Sequence, residues 1–397
     1  MDQQKRELLE EPPIFPTRGT LSTIDMLFYL LNSGIGSGTL QLGEIFHSGL
    51  IFSYILLLIF GFITFLSTRL FVLAAAKYHQ STFEEIWIAS FGKITVFIPA
   101  AFSLVSSICN IISYTQFTQT ALIKIISMII VLINEESVDT VAEIESHKFL
   151  VGLIICVIYY IPFSFSRQVN FLSVASYINV FTFILFIIYV IVRSALRLAD
   201  DGFDPYNKFE LFNVSKDVYS SLSSTIFSFL LFPIAFPGLR HVKNSSPTNL
   251  KKIFGFTILI IFFFYLIMGT FDYLTFYGWD RSGTILEYYL SKTETDKILL
   301  IVGYFLALIY VSCTTPICIN VCRYVTMNLI QSFNFFTMDI WILLGITFSF
   351  VSVALSGLDD EYLDIVFLIG HIMAACVQYI FPAILYIRAY KVTQKLN

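Results

Sequence analysis

Apolar residues in this chain come in runs of about twenty, separated by short polar stretches. A helix that crosses the hydrocarbon of a bilayer needs roughly 20 such residues. Ten runs meet or approach that length: 22–46, 50–76, 95–131, 148–163, 170–194, 218–237, 253–276, 297–320, 338–357 and 362–387. The fourth is short. The third exceeds the bilayer, so it is expected to tilt or protrude. The pattern predicts an all-α multi-pass membrane protein of about ten transmembrane helices.

Composition fits that class. The chain is 57% hydrophobic and only 13% charged, more apolar surface than a soluble domain hides. Residues 1–20 are polar, hold Pro12, Pro13 and Pro16, and read as a disordered tail with no cleavable signal. The six cysteines lie in apolar runs and read as small buried hydrophobes. Cys318 and Cys322 are four apart, but no further ligands flank them, so neither a metal nor a cofactor is expected.

Charge sets the orientation. With the N-terminus inside, fifteen of the 24 Lys and Arg fall on cytoplasmic segments. Eighteen of the 28 acids fall in the loops 132–147, 195–217, 277–296 and 358–364, all outside. A missed span would scramble every later loop, so this segregation supports the count. Both termini are then cytoplasmic. The sequon Asn213-Val214-Ser215 lies outside, and Asn244-Ser245-Ser246 lies inside, where it stays unused.

Ten spans divide into five plus five, and an odd number per half forces opposite orientations. That is the arithmetic of an inverted repeat whose broken helices build a midplane site. The halves are 21–194 and 218–388, joined by the outside loop 195–217 and followed by a cytoplasmic tail, 389–397. The first span carries Asn32-Ser33-Gly34-Ile35-Gly36-Ser37-Gly38, and the sixth carries Pro233 and Pro237. Each Gly costs a helix interior roughly 1 kcal/mol against Ala. Gly34 and Gly38 have the spacing of a helix-packing motif, whereas Gly36 lies on the opposite face. The run therefore reads either as a packing groove or as a break, and the matching prolines favour breaks in both helices 1 and 6. A break would offer amides near Gly36 to Gly38 to a carboxylate, and carbonyls to a cation.

These residues resemble the amino acid/auxin permease family, which includes sodium-coupled neutral and proton-coupled or vacuolar amino acid transporters. Asn32 to Leu40 is similar to the family's first-helix motif. Phe83-Glu84-Glu85-Ile86 with Ser90-Phe91-Gly92 resembles its cytoplasmic segment. Phe227 to Leu230 with Pro237, Tyr273 to Gly278, Pro316 with Arg323, and Gly370 with Phe381-Pro382-Ala383 follow in order on the later spans. The resemblance covers nearly the whole chain. It implies a LeuT-type five-plus-five fold and a secondary active transporter of small-molecule amino acids, coupled to Na⁺ or H⁺. By position, it places Asn32 and Thr314 in an ion site, with Ile35 contributing its carbonyl and Thr315 as a neighbouring alternative. It places Ser33, Gly34, Gly36, Ser37, Gly38, Tyr114, Phe229 and Phe232 around the substrate. Departures are Gln41 and Gly43 for the usual Gly and Pro, Phe232 for a frequent His, and Asp272 for a Gly. The family's eleventh span has no counterpart, which leaves the ten-helix core intact, with a truncated gene product as the alternative reading.

Among other polar residues, Asp272 reads as an interfacial acid or a protonatable coupling group. His371 reads as a neutral, hydrogen-bonded histidine. Glu44 is expected to face the outer vestibule, and Arg323 the cytoplasmic interface. The rival reading is a non-transporting amino acid sensor, against which the short tails argue. An enzyme is not expected, because the five His are scattered and no paired carboxylates lie within the spans. The expected partners are the amino acid and the lipid bilayer, with no nucleic acid, and the chain is expected to act as a monomer in a plasma or vacuolar/lysosomal membrane.

Overall fold

The longest apolar runs become the longest helices. In the computed structural model the described residues are 19–39, 42–133, 147–164, 169–202, 211–213, 218–276, 284–289, 293–331 and 338–394. The helices in chain order are α1 (Thr23–Thr39), α2 (Leu42–Phe46), α3 (Leu50–Tyr78), α4 (Phe83–Phe91), α5 (Phe97–Ile133), α6 (Lys148–Ile155) and α7 (Val169–Asp201). The second half holds α8 (Val218–Ser228), α9 (Phe232–Leu239), α10 (Pro247–Phe276), α11 (Glu294–Gln331), α12 (Met338–Ser356), α13 (Asp360–Ala375) and α14 (Phe381–Gln394). Among the described residues, six helical stretches are long and apolar enough to cross a membrane: 50–78, 93–133, 172–199, 247–276, 294–330 and 361–390. Two shorter apolar stretches cover 148–163 and 340–356. Most of the expected tail, Gln41, the loop 134–146, Ser215 of the outer sequon, and Tyr277 and Gly278 lie outside the described residues, as do the side chains of Ser37 and Pro237.

Local chemistry sets several helix starts. Ser22 and Asp25 exchange side-chain and backbone hydrogen bonds at the start of α1 (2.8 and 3.2 Å). Thr82 and Glu85 form the same capping box on α4, and Thr293 and Asp296 on α11. Two π-helical turns, Cys156–Tyr160 and Cys376–Ile380, each lie just before a proline, Pro162 and Pro382. Proline lacks the N–H that the α register needs, and a local π turn absorbs the mismatch.

The sixth span breaks as its prolines predict. Helix ends at Ser228, Phe229 to Leu231 are non-helical, and α9 starts at Phe232 with Pro233 in its first turn. The first span corrects the expectation. Its helix runs through Asn32, Gly34, Gly36 and Gly38 to Thr39, and a further helix covers Leu42–Phe46, so all three glycines lie within a helix. The amides of Gly36 to Gly38 therefore stand inside a helix rather than at an exposed end.

Packing on two faces explains this. A Cβ on Gly34 would lie 2.2 Å from Ile261 Cδ1, and one on Gly38 would lie 1.8 Å from the Tyr265 hydroxyl. Both positions press against α10. A Cβ on Gly36 would lie 2.7 Å from the Tyr114 hydroxyl and 2.7 Å from Thr314 Cγ2, on α5 and α11. The small residues thus let three long helices close on α1, which outweighs their low helix propensity.

The two ends of the bundle differ. At the N-terminal end, Leu21 and Val242 form a parallel bridge, with Leu21 N donating to His241 O (2.7 Å) and Lys243 N to Leu21 O (2.8 Å). Arg240 pairs with Glu85 and donates to Ser81 Oγ (3.0 Å). Tyr177 donates to Asp25 (2.7 Å), which ties α7 to the same end. At the opposite end a cavity of about 950 Å³ opens among α2, α5, α8 and α13.

Gly38→Ala should lower thermal stability much more than Gly34→Ala. The first forces Tyr265 away from α1, whereas the second displaces only the tip of Ile261. Melting of the two purified variants beside the parent checks this, and equal losses would refute the packing account.

Candidate functional site

The interruption at Phe229–Leu231 exposes backbone groups deep in the bundle, where hydrocarbon would leave them unmatched. Side chains from other helices satisfy them. Gln378 Oε1 accepts from Leu231 N (2.9 Å) and Phe232 N (3.2 Å). Ser33 Oγ donates to Leu230 O (3.1 Å). The Tyr265 hydroxyl lies within reach of two carbonyls, Gly34 O (2.5 Å) and Ser228 O (2.9 Å), and so ties α1 to the broken span. Gln378 sits in the π turn that precedes Pro382, which turns it toward the break.

A second polar cluster lies on the other face of α1. Thr314 Oγ1 donates to Asn32 Oδ1 at 2.7 Å, with Tyr310 O as an alternative acceptor at 3.2 Å. Asn32 Nδ2 donates to Ser176 Oγ (3.2 Å). Asn179 Nδ2 donates to Thr314 Oγ1 (2.9 Å) and Tyr310 O (2.5 Å). Thr39 Oγ1 donates to Ile35 O (2.6 Å) and lies 3.3 Å from the Tyr310 hydroxyl. All of these residues are buried. Every member is uncharged, so the cluster offers several oxygens without a resident charge. Among the described residues no three His, Cys, Asp or Glu gather elsewhere as a metal site.

The residues expected from sequence therefore divide. Asn32 and Thr314 meet directly. Thr315 bonds back to Val311 O of its own helix (3.3 Å), the common behaviour of a helical threonine. Gly36 faces Tyr114 and Thr314. Ser33, Gly34 and Gly38 face the sixth-span side, through Leu230, Ile261 and Tyr265. Phe229 packs edge-on to Tyr265 (5.7 Å) and near Gly61, whereas Phe232 packs on Phe71 (4.9 Å) and Phe254 (6.1 Å). Both rings sit among α3 and α10, away from Tyr114.

Glu44 lines the cavity, as expected. Its carboxylate accepts from Ser224 and from Ser220 (3.2 Å), bridging α2 to α8. His371 lies 2.9 Å from Ser223 Oγ, with its ring 4.3 Å from that of Phe227. Asp272, read as an interfacial acid or a protonatable coupling group, is 2% exposed, and Arg323, expected at the cytoplasmic interface, is 1% exposed. Arg323 donates to Asn320 Oδ1 (3.1 Å) and stacks on Trp341 (4.3 Å), which supplies an internal place for its charge.

Sequence reasoning passed over Gln378, Ser176, Asn179 and Tyr265. The available signal was a polar side chain inside an apolar run, where it is costly unless paired.

A family model described as transmembrane amino acid transporter protein matches residues 19–396. The chain belongs to the transmembrane amino acid transporter family. Among solved structures, this transporter is similar to MhsT in complex with L-phenylalanine, with TM-score 0.63 and 11% identity, covering 95% of this chain and 89% of that one. It is also similar to Mhp1, a nucleobase-cation-symport-1 family transporter in a closed conformation with bromovinylhydantoin bound. There the TM-score is 0.59 and the identity 10%, over 90% of this chain and 77% of that one. At such identities the likeness shows the fold, which is LeuT-like. The transporter is thus an integral multi-pass membrane protein whose family carries amino acids.

The segment Phe83 to Gly92 also gains a physical role in the transporter. Glu85 caps α4 and pairs with Arg240, while Glu84 is buried and accepts from Asn328 Nδ2 (3.3 Å) on α11. Burial pushes the Glu84 carboxyl up from 4.5 to about 7, against the pull of the Asn328 hydrogen bond. Between those pH values the unfolded chain releases a proton that the folded chain keeps. Stability should therefore fall as pH rises from about 4.5 to about 7. Glu84→Gln should flatten that fall in melting curves taken across the window; an unchanged slope would remove Glu84 as its source.

Gln378→Leu should destabilise the transporter by about 1–3 kcal/mol for each amide left without an acceptor. A variant that melts with the parent would show that Leu231 and Phe232 find other acceptors.

Proposed function

We propose that this protein is a secondary active amino acid transporter with ten spans and cytoplasmic termini, working in a plasma or vacuolar/lysosomal membrane. The observation that carries the reading is the interrupted sixth span beside the Asn32–Thr314 cluster, beneath a cavity open at one end. In this orientation the cavity opens outward, and the Leu21–Val242 bridge with the Glu85–Arg240 pair closes the inside. The amino acid descends past Glu44 and Phe227 toward the interruption and the face of α1 that carries Ser33, Gly34 and Gly38. The carbonyls around Phe229–Leu231, each keeping a second lone pair, supply backbone polarity for the substrate's amine. Gly34, Gly36 and Gly38 make that stretch of α1 the least costly to unwind when substrate arrives.

Asn32 Oδ1, Thr314 Oγ1 and the Ile35 carbonyl form the coupling-ion site, and their neutrality suits a monovalent cation. Na⁺ is favoured over H⁺ there, because the cluster has oxygens to coordinate but no acid to protonate. Inward release then requires the contacts at the N-terminal end to part while those at the cavity close, which is alternating access.

Uptake into proteoliposomes, measured over twenty amino acids with imposed Na⁺ or H⁺ gradients, tests the reading. Saturable uptake driven by one gradient is expected, and none under either gradient refutes transport. Asn32→Ala and Thr314→Ala should each raise the Na⁺ concentration for half-maximal uptake at least tenfold, which corresponds to about 1.4 kcal/mol of lost ion binding. An unchanged Na⁺ dependence would remove the cluster from coupling.

A further inference from the structure

A groove of about 750 Å³ runs along the outside of the bundle between α3 and α10. It is separate from the cavity above the interrupted span. Its walls are apolar, and several are widely exposed: Leu58 at 61%, Phe62 at 59%, Phe256 at 59% and Leu259 at 49%. Gly61 and Gly255 keep its floor low. Arg69, Lys251 and Lys252 line one end, the N-terminal end of the bundle. No acidic residue lines it. None of the three cations has an ion pair among the described residues, and Arg69 rests over the Phe65 ring (5.6 Å).

Length and charge together specify an occupant. Lys251 to Phe262 is eleven residue steps along a helix, as is Leu58 to Arg69, which is about 16 Å at the helical rise. Half of a bilayer's hydrocarbon core is about 15 Å deep. The groove is thus as long as one acyl leaflet is deep, and its cations stand at the level of that leaflet's headgroups. Basic residues between helix ends attract anionic headgroups, each adding to the affinity.

We propose that the groove between α3 and α10 is a binding site for one anionic phospholipid, its phosphate held by Arg69, Lys251 and Lys252 and an acyl chain laid along Phe62, Gly255 and Leu259. The lipid belongs to the leaflet on the N-terminal side, which is cytoplasmic in the orientation proposed above. Its binding in detergent depends on neither that orientation nor transport, so the two proposals can fail separately.

Native mass spectrometry of the full chain tests the site with phosphatidylinositol and phosphatidylcholine of identical acyl chains. The parent should retain phosphatidylinositol preferentially. The variant R69Q/K251Q/K252Q should bind it on the order of a hundredfold more weakly, near the level of phosphatidylcholine. K77Q/K93Q/K243Q removes three exposed charges from the same end outside the groove and should keep the preference. Gly255→Leu should weaken phosphatidylinositol with all charges intact, by filling the groove. The proposal is overturned if the parent shows no preference, if the groove variant keeps it, if the control loses it equally, or if Gly255→Leu leaves binding unchanged.

Discussion

A polypeptide inside hydrocarbon must satisfy every backbone amide and carbonyl from within, and the sixth span breaks that rule on purpose. Three residues leave the helical register there, and the cost is met by side chains from three other helices. Gln378 takes two amides, Ser33 approaches a carbonyl, and Tyr265 bridges Ser228 to Gly34. The interruption is therefore the meeting point of α1, α10 and the π turn ahead of α14. Removing any one partner would leave a polar group in a place water does not reach. Gly34 and Gly38, which let α10 and its Tyr265 come close, and Gln378 in the π turn all serve that one requirement.

The same helix serves two clusters because its faces carry different chemistry. Gly34 and Gly38 bring α10 and its tyrosine close, while Asn32, Ile35 and Gly36 turn to α5, α7 and α11. A shift of α1 would strain both clusters together. The break in the sixth span and the Asn32–Thr314 cluster are thereby mechanically linked through one helix. Among the described residues, contacts tie one end of the bundle together and a cavity opens at the other.

Much of this architecture was legible in the chain. The apolar runs located the long helices, and Pro233 located the break in the sixth span, because a missing N–H and a ring clash act locally. The ordered motifs pointed to the family that the comparison then showed over residues 19–396. The glycine run was harder. Glycine permits a break and permits close packing, and the chain alone does not say which neighbour arrives. Thr315 stayed an alternative to Thr314 for the same reason: adjacent residues differ by about 100° around a helix, and the position of α1 selects one.

By itself, then, the sequence determined the class, the approximate spans, the family and the sites of backbone disruption that depend on proline or charge. Those are properties of a residue and its near neighbours in a known solvent. Tertiary structure decided that α1 stays wound to Thr39, that Gln378 caps the break, that Asn32 meets Thr314, and that Asp272 and Arg323 are buried. Each of these depends on which distant helix lies opposite a given face. That pairing is set by the packing of the whole bundle, to which no short stretch of chain holds the answer.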